Sequence, residues 1–129
     1  WEKAARGTDA RLYPWGDIFP NSQYANVGQS VGDTTQAGAY PAGASPYGVL
    51  DMAGNVYEWV QDWYAADYYS RSPYQNPLGP DAPSGNEPTR VIRGGNWFWD
   101  GAYATAGYHD YWEPFQTSND VGFRCVVIP

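Results

Sequence analysis

The chain has 129 residues and a formal net charge of −7, with 7 Lys and Arg against 14 Asp and Glu. Nucleic acid and anionic membrane surfaces are bound mainly through basic residues, so neither is an expected partner. One cysteine (Cys125) and one histidine (His109) exclude an intrachain disulfide and a Cys/His zinc site, which needs about four such ligands, and no apolar run approaches the roughly 20 residues of a membrane span. The 12 Tyr and 7 Trp must supply much of the core, each with a polar tip to satisfy. With 15 Gly and 11 Pro, long helices are not expected.

In chain order, Trp1–Arg6 reads as a short helix stopped by Gly7. RLYPWG (Arg11–Gly16) is extended and broken by its Pro and Gly. Ile18–Ala44 lacks a helical period and reads as a long ordered loop that something must hold, a bound ion being one option. NVYEWVQDWY (Asn55–Tyr64) is a strand, with Val56, Glu58, Val60 and Asp62 on one face and Tyr57, Trp59, Gln61 and Trp63 on the other. Tyr68–Pro88 is a proline-rich surface excursion. Arg90–Ile92 is a strand entering Gly94-Gly95, Gly101–Asp110 is ambiguous but compatible with extended chain, and Gly122–Ile128 reads as a final buried strand.

Four segments together carry a family resemblance: WEKAARG with RLYPWG, YGVLDMAGNVYEWVQDWY, RVIRGGNW and NDVGFRCV. In order and spacing the chain resembles the C-terminal half of the formylglycine-generating enzyme, or sulfatase-modifying factor, family. The resemblance implies an α+β, C-type-lectin-like fold: loop-rich, with a small twisted antiparallel sheet and little helix. It also implies one domain over residues 1–129 whose N-terminal half lies before Trp1.

Calcium takes six to eight oxygen ligands. Asp51 and Glu58 flank a Gly54-Asn55 turn that can bring both carboxylates together, and the Gly54 and Val56 carbonyls can add to the shell. The resemblance points to the same four residues as a Ca²⁺ site. The residues alone leave an alternative open, in which Asp51 caps a turn and Glu58 makes an ordinary hydrogen bond. A second calcium site, at Asn26, Val27, Asp33 and Thr35, is implied by the resemblance only.

In the enzymes of the family the RGG segment leads into two copper-binding redox cysteines. Trp99 and Ala104 stand at those positions here, and neither can be a thiolate. Copper is therefore not expected, nor is formylglycine formation by this chain. Some relatives pair a cysteine at the place of Cys125 with an early one. Ala5 occupies that early position, so Cys125 is expected to be a buried, inert thiol.

The aromatic run from Trp97 to Phe115 exceeds what a small core can pack. Trp97 and Tyr103 are expected inside. Phe98, Trp99, Tyr108, His109, Tyr111 and Trp112 are expected to be at least partly exposed on one face, where with Asp100, Asp110 and Glu113 they form a ligand-binding surface. In some phage and bacterial relatives this region is diversified for receptor binding by retroelement-directed codon changes. The expected function is a non-catalytic, calcium-stabilised lectin-like module that binds a protein or a glycan. The alternative is part of a formylglycine-generating-enzyme-like oxidase whose catalytic groups lie outside this chain.

Overall fold

The computed structural model describes residues 1–85 and 88–127. Its frame is a four-stranded sheet in the order β3-β2-β1-β4, formed by β1 (Tyr57–Trp63), β2 (Arg90–Arg93), β3 (His109–Trp112) and β4 (Val121–Gly122). β1, β2 and β3 pair antiparallel, with Trp59 opposite Ile92 and Ile92 opposite Asp110. β4 joins β1 in parallel, Glu58 facing Gly122, so the expected small sheet is mixed rather than wholly antiparallel.

Helix is scarce among the described residues. α1 (Glu2–Arg6) ends at Gly7, whose positive φ suits glycine, and α2 (Tyr68–Arg71) opens the proline-rich excursion. Single 3₁₀ turns lie at Pro41–Gly43 and Gly101–Ala104, the second within the ambiguous segment. β1 starts at Tyr57 and not Asn55, because Asn55 is in the left-handed region at φ 66° and cannot extend a strand.

Besides Tyr13, Tyr57 and Ile92, the buried core is built largely from small residues. Ala25, Val27, Ala53 and Ala104 form one buried cluster under Trp15; Ala5, Met52 and Ala106 form another under Trp1. Alanines let loop backbones approach closely, and aromatic rings roof the clusters from the margins.

The last predicted strand is corrected. Only Val121 and Gly122 pair; Phe123, Val126 and Val127 are largely exposed, and Ile128 lies outside the described residues. The β-branched run has no neighbouring strand beyond Gly122, and Arg124 turns inward to a carboxylate on β1. Cys125, expected to be buried, is exposed for the same reason. The expected excursion Tyr68–Pro88 also reaches outside the described residues, at positions 86 and 87.

Candidate functional site

Asp51, Gly54 and Asn55 all have positive φ, so the DMAGN turn is a tight, left-handed step into β1. Gly54 donates its N–H to the Gly94 carbonyl, and a Cβ there would stand 2.5 Å from the Asn26 carbonyl oxygen. Glu58, on β1, is buried. Arg124 Nε and Nη2 donate to its two oxygens at 2.7 and 2.6 Å, and Trp1 Nε1 donates to Oε2 at 2.6 Å. Arg124 Nη2 also donates to the Leu50 and Asp51 carbonyls. The Asp51 carboxylate accepts the Gly38 N–H at 2.7 Å. The Arg124 guanidinium thus pairs with both Glu58 oxygens, while the Asp51 carboxylate is engaged by a loop amide. These contacts are of the kind the turn-and-hydrogen-bond alternative expects of Asp51 and Glu58. The Glu58 hydrogen bond is the first cause holding the Arg124 guanidinium above its ordinary pKa, against the opposing effect of burial.

The second set is brought together. Buried Asn26 donates from Nδ2 to the Asp33 carbonyl at 2.8 Å, and Asn55 Oδ1 accepts the Thr35 N–H at 2.8 Å. These amides clasp the long loop. Some oxygens here are lightly engaged: Asn26 Oδ1 takes only a 3.4 Å contact from Ser30, and the Val27 carbonyl a 3.3 Å one. Asp33 Oδ2 accepts nothing among the described residues. The Thr35 carbonyl accepts Asn55 Nδ2 at 3.2 Å; carboxylate, amide and carbonyl oxygens are the donor types Ca²⁺ takes.

The aromatic run divides between two faces of the sheet, which corrects the expectation of one cluster. Alternation along β3 sends His109 and Tyr111 to the side of Tyr64, on which Tyr111 stacks at 4.1 Å. Asp110 and the neighbouring Tyr108 go to the other side, with Tyr57, Trp99 and Tyr103, and form a cleft of about 140 Å³. Its rings lie at steep angles: Trp99 and Tyr103 are tilted at 5.9 Å, and Tyr103 and Tyr108 edge-to-face at 5.4 Å. Tyr108 donates its hydroxyl to Asp110 Oδ2. Burial, then the charges and phenols nearby, hold Tyr57 well above the usual tyrosine range, and Tyr108 is raised by burial and by Asp110.

Phe98 stacks edge-on against Trp99, and both are exposed as expected. Trp97 is half-buried with its indole N–H enclosed, whereas Tyr103, expected inside, is 40% exposed as a wall of the cleft. The other predicted ligand residues have local structural duties. Asp100 caps the 3₁₀ turn by accepting the Ala102 N–H, and Trp112 and Glu113 share Gln116.

Sequence reading missed Asn96, Tyr57 and Tyr103. Asn96 is buried; its Oδ1 accepts the Phe98 and Trp99 N–H groups, and its Nδ2 donates to Asp120 at 2.6 Å. An Asn directly before an aromatic run is an Asx-turn signal that could have found it. Trp99 is exposed on the cleft rim and Ala104 is buried beside Gly95. Among the described residues no group of three or more His, Cys, Asp or Glu could hold a metal.

The family model described as the sulfatase-modifying factor enzyme 1-like domain matches residues 1–128. The chain is 41% identical over 126 residues to a Chlamydia pneumoniae protein named serine/threonine-protein kinase pkn1, covering 97% of this chain and 19% of that one. It is 33% identical over 140 residues to the formylglycine-generating enzyme of Streptomyces coelicolor, covering 97% of this chain and 43% of the relative. The chain thus spans less than half the length of either relative. Among solved structures, Treponema denticola variable protein 1 superposes with a TM-score of 0.73 at 30% identity, over 95% of this chain and 41% of the other. The fold is the C-type-lectin-like one expected from the sequence.

Proposed function

The chain belongs to the sulfatase-modifying factor enzyme 1-like family, and we infer that within it this chain is a non-catalytic binding module. The observation that carries the reading is the cleft of Tyr57, Trp99, Tyr103, Tyr108 and Asp110, which is lined by aromatic rings and one carboxylate and by no thiol. Exposed rings held at fixed angles on a sheet are the material of protein hot spots and of sugar stacking, and the ligand is a protein or a glycan. The likeness to a protein named variable protein 1 supports a scaffold that presents changeable side chains. Calcium belongs to this reading at the Asn26–Thr35 loop, where Asn26, Val27, Asp33 and Thr35 would hold it. The ion would lock the loop and do no chemistry.

Trp99 and Phe98 are exposed, so Trp99→Ala is expected to leave the melting temperature nearly unchanged while abolishing binding to glycan or protein arrays. Unfolding by Trp99→Ala, or undiminished binding, overturns the ligand face. In the same preparation, a cysteine peptide of the sulfatase type incubated with copper and oxygen should keep its thiol mass. Conversion to the aldehyde overturns the non-catalytic reading.

A further inference from the structure

The opposite side of the sheet carries a larger cavity, about 380 Å³, within the size range of small-molecule sites. Its floor is Val60 and Asp62 of β1, Val91 and Arg93 of β2, and His109 of β3. α1 closes one side, and α2 with the 77–80 segment closes the other. The far wall is fixed by a hydrogen bond, the Gly79 N–H donating to the Tyr68 hydroxyl at 3.0 Å.

Charge inside the cavity is uneven, and Lys3 on the α1 side forms no ion pair among the described residues. Glu2 is neutralised twice, by Arg6 at 2.9 Å and Arg93 at 3.0 Å. Arg93 spends its other nitrogen on the Gly107 and Tyr108 carbonyls. Asp62 is different. It is half-buried, and among the described residues it forms no ion pair and accepts no hydrogen bond. Gly79 lies over it so closely that a Cβ there would stand 2.5 Å from Asp62 Oδ1. A carboxylate partly removed from water without a partner is unfavourable. The same cavity is lined by the rings of Tyr64, Tyr69 and His109, with Tyr69 and His109 5.4 Å apart. Ring faces attract cations, and this chain already places Arg90 3.8 Å over the neighbouring Trp63 ring.

We propose that this cavity is a second ligand site, distinct from the Trp99 cleft, that takes an organic ammonium cation with an apolar body. The ammonium sits against Asp62 and supplies its missing partner. The apolar body lies against Tyr64 and Tyr69. The site is independent of the binding-module reading, because no residue lines both cavity and cleft.

Phenethylamine is the probe, with 2-phenylethanol as its neutral counterpart, followed by NMR shifts of the Trp1 and Trp63 indole N–H groups. Saturable shifts are expected with the amine and at least tenfold weaker binding with the alcohol. Asp62→Asn should weaken the amine at least tenfold without lowering the melting temperature, since it removes an unpaired charge. Tyr69, being 65% exposed, can be cut to Ala without threatening the fold, and Tyr69→Ala should weaken binding several-fold. Trp99→Ala should leave amine binding intact, whatever becomes of the ligand face. Equal binding of amine and alcohol, no saturation, or full affinity in both the Asp62→Asn and Tyr69→Ala variants overturns the proposal.

Discussion

Tyr57 shows how one residue couples the core to the cleft. Its ring is 3% exposed, and its phenol is kept neutral by burial with Tyr108 and Asp110 nearby. The folded-state pKa is raised, so the unfolded chain gives up this proton first, at the ordinary value of about 10. Stability from this group is complete below that value and is lost as pH rises past it toward the folded value. The chain is therefore expected to melt at falling temperature above about pH 10. Tyr57→Phe should make that fall shallower, whereas Tyr47→Phe, at an exposed ring, should not. Parallel slopes for wild type and Tyr57→Phe in thermal melts across pH would show that Tyr57 ionisation does not limit alkaline stability.

Among the elements, the two-residue β4 is held less by its own ladder than by Arg124, which lies just beyond its end. This side chain clamps β4 to the Glu58 carboxylate of β1 and to the DMAGN turn. Removing one partner of a buried pair strands the other, at a cost of about 3–5 kcal/mol. Arg124 is 30% exposed, so Arg124→Ala is expected at the low end, about 3 kcal/mol in urea denaturation. Replacing both residues by Met should recover part of the loss. A change within about 0.5 kcal/mol for Arg124→Ala would class the pair with surface ion pairs. β1 was legible in the sequence because its β-branched and aromatic residues crowd one short segment. The Arg124–Glu58 pair was not, because 66 positions separate its partners and local pattern carries no trace of them. β3 was only half legible: the ambiguous Gly101–Asp110 segment reaches its first two residues, and His109–Trp112 contains no β-branched residue. With the rest of β3 unseen, the division of the aromatic run between two faces stayed hidden, and His109 and Tyr111 were grouped with Trp99.

At the scale of the whole molecule, stability depends on how a long loop without regular strands is closed onto a small sheet. Asn26 and Asn55 clasp that loop through amides, and a cation at Asn26, Val27, Asp33 and Thr35 would add to the clasp. Binding only to the folded chain, Ca²⁺ would stabilise it by about 2.7 kcal/mol at one hundred times its dissociation constant. The melting temperature should therefore climb with the logarithm of calcium concentration and drop with a chelator, and Asp33→Ala should flatten that response. A melting temperature indifferent to calcium removes the ion while leaving the ligand cleft in place. The alternation of β3 reaches further than any single ligand. Alternate positions along β3 and the residue just before it serve separate surfaces, so substitutions at Tyr108 and Asp110 alter one surface while substitutions at His109 and Tyr111 alter the other. Inserting or deleting one residue there would exchange the two sets wholesale, so the division between the two surfaces survives substitution but not a change of length.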